Sequence, residues 1–172
     1  MEHILTRCRE PPVQIIWTLV EESWPNELLE WPRITIGLIL GCRCISKRIE
    51  NRPRNTHKSR QRQWEKKGAA RLATILISKA AYLIWVLQCK RVIWEKLHSN
   101  NKISIRWQNA INTRLTSDKI IVIKIRCKNK FTNLVINIWK PLLTKEGPLP
   151  LNWITNCKVL VGRRPRYALM ED

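Results

Sequence analysis

Between Lys67 and Leu97 the chain leaves few folds open. Leu72, Ile75, Leu76, Leu83, Val86, Leu87, Ile93 and Leu97 fall on one apolar stripe, while Lys67, Arg71, Thr74 and Ser78 line a polar one. The spacing predicts a single helix of about 30 residues, some 45 Å long at about 1.5 Å per residue. Residues Ala69 to Leu87 are apolar enough to suggest a membrane span, but Lys79 stands in their middle and Arg71 inside one end. A central lysine costs about 2.5–3.5 kcal/mol on insertion, so the expectation is a buried core helix and no membrane partner. Tyr82, Trp85 and Trp94 lie on or beside the stripe; they read as core or helix-packing residues before base-stacking platforms.

Charge is the second constraint. The 172 residues carry 32 Lys+Arg against 13 Asp+Glu, a formal net charge of +19. The excess is uneven: the four Arg of residues 1–45 face six Glu, whereas the remainder of the chain is strongly cationic. A surface of that sign attracts RNA, DNA or anionic lipid through a sequence-independent, salt-sensitive term. The densest run is 46–67, where Ile49 and Trp64 are the only strongly apolar side chains and Glu50 and Glu65 the only acids. No core can be built from it, so it reads as a solvated linker extended by charge repulsion. Arg52, Arg54, Lys58, Arg60, Arg62, Lys66 and Lys67 are its candidate phosphate contacts. A nuclear-localisation arm and a linker that is merely basic are the competing readings.

Shorter elements flank these two. Val13, Ile16, Trp17, Val20 and Trp24 have helical spacing behind Pro11 and Pro12, which suit a first helical turn. Trp24-Pro25 and Trp31-Pro32 should end that helix, because the residue before a proline is pushed out of the α region. Ile34 to Leu40 reads as a buried strand or a short packed segment. His98-Ser-Asn-Asn101 offers cap residues for a helix with Ile103, Trp107, Ala110, Ile111 and Leu115 on one face. Thr116-Ser117-Asp118 could cap a further short helix through the β-branched run Ile120–Ile125. Phe131, Leu134, Val135, Ile138 and Leu142 mark a last helix that Pro141 should kink or end. Little periodicity follows Gly147, and Trp153 is the expected anchor of a loosely packed tail.

The metal and catalytic signals are thin. His3 and Cys8 have the H-x4-C spacing that closes a CCHC zinc knuckle, and no CxxC precedes them. A structural zinc needs four ligands, so the site reads as incomplete, the chain as the tail of something longer, and no cofactor is expected, the alternative being a zinc held by a knuckle completed in trans or by Cys42 and Cys44. Cys42 and Cys44 are the only close cysteine pair, with the wrong spacing for a redox or zinc turn. With no secretory signal segment, the thiols read as free and the setting as intracellular, nuclear or cytoplasmic. Cys89 and Cys127 sit inside apolar patterns and read as small core residues. Two-metal chemistry needs converging carboxylates, yet Asp118 and Asp172 are the only aspartates; the histidines are His3, His57 and His98. Phosphate loops and nucleophile elbows are absent from the sequence, and the chain does not read as an enzyme.

Several of these segments fit one pattern. The run Met1-Glu-His-Ile-Leu-Thr-Arg-Cys8, then Ile15-Ile-Trp17 and Ser23-Trp24, resembles the last half of the zinc-binding region in reverse-transcriptase reading frames of non-LTR retroelements. There a CxxC precedes an E-H-(I/L)-(L/F)-x-x-C segment and an I/V-W helix. The likeness continues through Trp31-Pro32, residues 37–41, 68–72, 83–85 and 89–93, and Arg106-Trp107-Gln-Asn-Ala-Ile-Asn112. It is similar to the C-terminal portion of basidiomycete fungal reverse-transcriptase or ribonuclease-H-containing frames. The resemblance implies that His3 and Cys8 stand at the third and fourth zinc positions, and that catalysis belongs to regions with no counterpart here.

These readings give a mainly α chain: a half-knuckle and helix over 1–45, a basic linker over 46–67, a helical core over 68–143 and a tail over 144–172. The expected function is that of a truncated, non-catalytic retroelement remnant that binds RNA or DNA without sequence preference. The alternative is a helical structural module that packs with helices of a protein partner, because the tryptophan-rich stripe is large for so small a fold to cover.

Overall fold

A computed structural model describes residues 2–8, 10–25, 31–45, 60–95, 97–125, 128–144 and 147–162. Among them the chain forms helices and turns, with no strand. A π-helical turn, His3–Arg7, leads into α1 (Pro11–Ser23). After it come α2 (Ile36–Leu40), a 3-10 turn at Cys42–Cys44, α3 (Arg60–Trp94), α4 (Asn100–Lys124) and α5 (Lys128–Leu143). The mainly α architecture with one long central helix is what the periodicity of residues 67–97 implied.

α3 is the axis of the fold. α5 packs along it most extensively, and α1 bridges α3 and α4. Leu72, Leu76, Ile77, Ala80 and Ile84 are fully buried, with Ala69, Ala70, Ala73 and Leu87 close to it. α5 approaches closely at Gly68. A Cβ placed there would fall 2.8 Å from the Cβ of Asn137 and nearer still to its carbonyl group, so only glycine fits. Asn137 is four residues before Pro141, whose missing N–H leaves the Asn137 carbonyl without its helical partner. The sequence thus pairs the residue that frees a carbonyl with the residue that lets it come near.

α1 buries Val13, Ile16, Val20 and Trp24, the face its spacing implied, and it ends at Ser23 ahead of Trp24-Pro25. The Trp24 and Trp31 rings lie 5.1 Å apart at 53°, a tilted aromatic contact. Trp17 donates its indole N–H to the Leu5 carbonyl at 2.8 Å, and Arg91 of α3 pairs with Glu10. The N-terminal turn is fixed by both contacts.

Three expectations need correction, and two that the sequence left open are resolved. Residues 60–67 are helical, so the basic run feeds α3 directly instead of ending in a linker at Lys67. Ile34–Leu40 contains a one-turn helix, capped where Thr35 Oγ1 accepts from the Leu38 N–H at 3.1 Å. Thr116-Ser117-Asp118 caps nothing: α4 runs through it to Lys124, and the β-branched run is its last turns. Here tertiary burial of Leu115, Asp118, Lys119 and Val122 outweighs strand propensity. Pro141 lies inside α5, which ends two residues later at Leu143. Finally, residues 147–162 are docked more closely than a loose tail: Trp153 is buried as the expected anchor, Val159 is buried too, and Asn112 holds Val161 by both its N–H and its carbonyl.

Candidate nucleic-acid interface

The seven cations singled out from the sequence divide by position. Arg52, Arg54 and Lys58 lie outside the described residues. Arg60 and Arg62 stand in the opening turn of α3, and Lys66 and Lys67 one turn further on. Lys66 and Lys67 are half-buried, and the Lys67 ammonium sits 5.6 Å from the centroid of the Trp64 ring. A lysine over an indole keeps its charge while its stem covers apolar surface. Arg71, a turn later, is exposed. Across residues 51–94 the sequence places eleven Lys or Arg and a single acid, Glu65. The described part of the basic run, residues 60–67, is therefore mounted on the same helix that meets α5 closely at Gly68.

His3 and Cys8 are one π-turn apart, with the Cys8 N–H donating to the His3 carbonyl at 2.7 Å. His3 is exposed; Cys8 is half-buried, with Gln88 of α3 directing its side-chain N–H at the Cys8 sulfur from 3.9 Å. Cys42 is buried and Cys44 exposed, so the C-x-C pair diverges. No group of three or more His, Cys, Asp or Glu comes together among the described residues. Cys89 is not a core residue: it is half-exposed on the outer side of α3. Cys127 lies outside the described residues.

The sequence reading missed a buried polar node where α4, α5 and the tail meet. The Trp139 indole donates to Asp118 Oδ2 at 2.9 Å, and Arg114 pairs with Oδ1 at 3.0 Å. Lys119, next along α4, is buried and donates to the carbonyls of Val159 at 2.8 Å and Asn156 at 3.0 Å. Its ammonium is also 5.7 Å from the Trp153 ring centroid. Burial pulls the Lys119 pKa below its ordinary value, and the nearby Cys157 opposes that in part. The acceptors and donors of this node hold elements of the fold together, which makes it a structural lock. The signal was available: Ile103, Trp107, Ile111, Leu115, Asp118 and Val122 continue one helical stripe, with Arg114 four residues before the carboxylate.

No protein-family model, curated protein or solved structure matches this chain.

Proposed function

We propose that this chain is a non-catalytic helical module that holds RNA or DNA by its phosphates, with the basic start of α3 as the contact surface. The observation that carries the reading is the cluster of cations in the opening turns of α3, Arg60, Arg62, Lys66, Lys67 and Arg71, with Glu65 the single acid among residues 60–71, on an element anchored in the core. Lysine and arginine arranged in this way release condensed counterions when they meet phosphates, without reading bases. The resemblance to retroelement reverse-transcriptase frames points to the same class of ligand. Titrating mixed-sequence RNA and DNA at two salt concentrations tests it: affinity should fall steeply with salt and be indifferent to sequence. Replacing Arg60, Arg62, Lys66 and Lys67 together by Glu should lower the salt slope, by about one for each phosphate no longer neutralised. Affinity that ignores salt would contradict the proposal.

A second reading, a helical interaction module, is favoured by one specific observation. Tyr82, Ile93 and Trp94, expected in the core or in helix packing, are largely exposed, and Val92 beside them is too. The discriminating measurement is the mass of the chain in solution.

A further inference from the structure

The opening turns of α3 carry an aromatic ring among their cations. At about 3.6 residues per turn, the positions of Arg60, Trp64, Lys67 and Arg71 fall within about 60° of one another around the helix axis. They lie opposite Ala69, Ala73 and Leu76, which are buried in the core, and on the side where Arg71 and Ser78 are exposed. Successive positions are roughly 6, 4.5 and 6 Å apart along the axis at about 1.5 Å per residue. The Lys67 ammonium stands 5.6 Å from the centroid of the half-buried Trp64 ring. Glu65 falls outside the stripe, about 100° around the axis from Trp64. Elsewhere Arg91 is paired with Glu10 and Arg114 with Asp118. Among the described residues, no carboxylate pairs with Lys67 or Arg71.

We propose that this stripe binds a single polynucleotide strand, with phosphates on the cations at 60, 67 and 71 and one base stacked on the Trp64 ring. The inference rests on the phosphate reading and deepens it by naming the state of the ligand. Charge alone admits any polyanion, and the ring narrows the choice. A free polyphosphate offers charge without a π-face, and a duplex keeps the faces of its bases closed inside its own stack. A lipid surface calls for an apolar face flanked by cations, whereas here one ring stands between cations on both sides. A single strand offers phosphates and open base faces together, which is the pairing of basic groove and aromatic platform that holds such strands. Stacking tolerates any sequence because every base has a π-face, so it agrees with binding that reads no base edges. The Lys67 contact places the ring beside a phosphate-binding group before the ligand arrives, and its half-burial restricts the rotamers it can lose on binding. Trp64 is the contact residue that a count of charges overlooks.

Fluorescence anisotropy at several salt concentrations tests the proposal with three end-labelled probes of equal length: a mixed-sequence strand, its duplex, and a strand of abasic sugar phosphates. The native chain should bind the ordinary strand about tenfold more tightly than the abasic one. The preference for strand over duplex should widen as salt is raised, because salt weakens phosphate contacts and spares stacking. Trp64→Ala should lower affinity for the ordinary strand about tenfold, leave the abasic strand and the duplex unchanged, and keep the salt slope, since the ring neutralises no phosphate. Trp64→Phe should recover most of that loss. Arg71→Glu should instead lower the salt slope for all three probes. The abasic strand makes the comparison on the native chain, so the result stands whether or not the Trp64 variants fold. An abasic strand bound as tightly as the ordinary one, with a steep salt slope, would overturn the stacking and leave the phosphate reading intact. Binding to none of the three probes, or to phosphatidylserine vesicles alone, would overturn both.

Discussion

The two halves of α3 are similarly rich in apolar residues and are treated in opposite ways. From Gly68 to Ile77 nearly every position is buried, Arg71 being the outward exception and Thr74 bonding across to the Cys42 carbonyl at 2.9 Å. From Tyr82 to Trp94 one side is buried through Leu83, Ile84, Leu87 and Gln88, and the other shows aromatic and β-branched side chains to solvent. The difference is residue size. Gly68 lets α5 lie close, and the small Ala69, Ala70 and Ala73 that follow are buried, whereas Tyr82, Trp85 and Val92 stand where, among the described residues, no element covers them. Apolar content alone does not decide which half is core; a partner at the right distance does. The stretch Trp64–Trp94 is long and apolar enough to cross a bilayer by length and composition, and 56% of its apolar window is buried inside this fold.

The contrast can be broken at its inner half first. Leu76→Ala, at a fully buried position, should cost about 2–5 kcal/mol, read from urea denaturation; a cost no larger than that of an exposed residue would show the inner half is not packed as described. Asp118→Ala should cost about 2–3 kcal/mol, because it leaves the buried Trp139 indole without its acceptor and Arg114 without its counter-charge. Asp118→Asn, which keeps an acceptor for the indole, should cost less. Gly68→Ala should cost about 1–3 kcal/mol through overpacking against the Asn137 backbone. Glu95, with φ of 49° just past the end of α3, occupies the left-handed region that glycine prefers, and Glu95→Gly should raise stability by up to about 1 kcal/mol. At the outer half, Tyr82→Ala should change monomer stability by less than about 0.5 kcal/mol.

The lock beside α3 has a pH signature. Lys119 has a folded pKa lowered from 10.5, mainly by burial, so between the lowered value and 10.5 the unfolded chain binds the extra proton. Stability contributed by this group therefore rises as pH rises through that window, and below it the cost of burying the charge is constant. The stability difference between the native chain and Lys119→Met, followed by thermal unfolding in a Cys157→Ser background, should grow in favour of the native chain toward alkaline pH. A flat difference would remove burial as the dominant influence on Lys119.

Much of the fold is legible in the sequence for a physical reason: helices advertise their buried faces by period. Val13, Ile16 and Val20, or Ile103, Trp107, Ile111 and Leu115, are buried as their spacing requires. What periodicity cannot carry is which neighbour arrives. The Gly68–Asn137 contact joins residues distant in sequence, so the inner half of α3 cannot be told from the outer by pattern alone. The β-branched run Ile120–Ile125 reads as a separate element because propensity is local, while the burial of Asp118 and Lys119 that extends α4 through it comes from α5 and the tail. The candidate phosphate contacts are readable only as charge. That Arg60, Arg62, Lys66 and Lys67 ride on helix depends on where α3 nucleates, and a polar, highly charged segment hides that start.

Hydrogen exchange along α3, read peptide by peptide, tests the account most directly. The inner half, Gly68 to Ile77, should exchange slowly, while the outer half, Tyr82 to Ile93, open to solvent on one side, should exchange faster. Equal protection of both halves would contradict a division of this helix into a covered half and an open one.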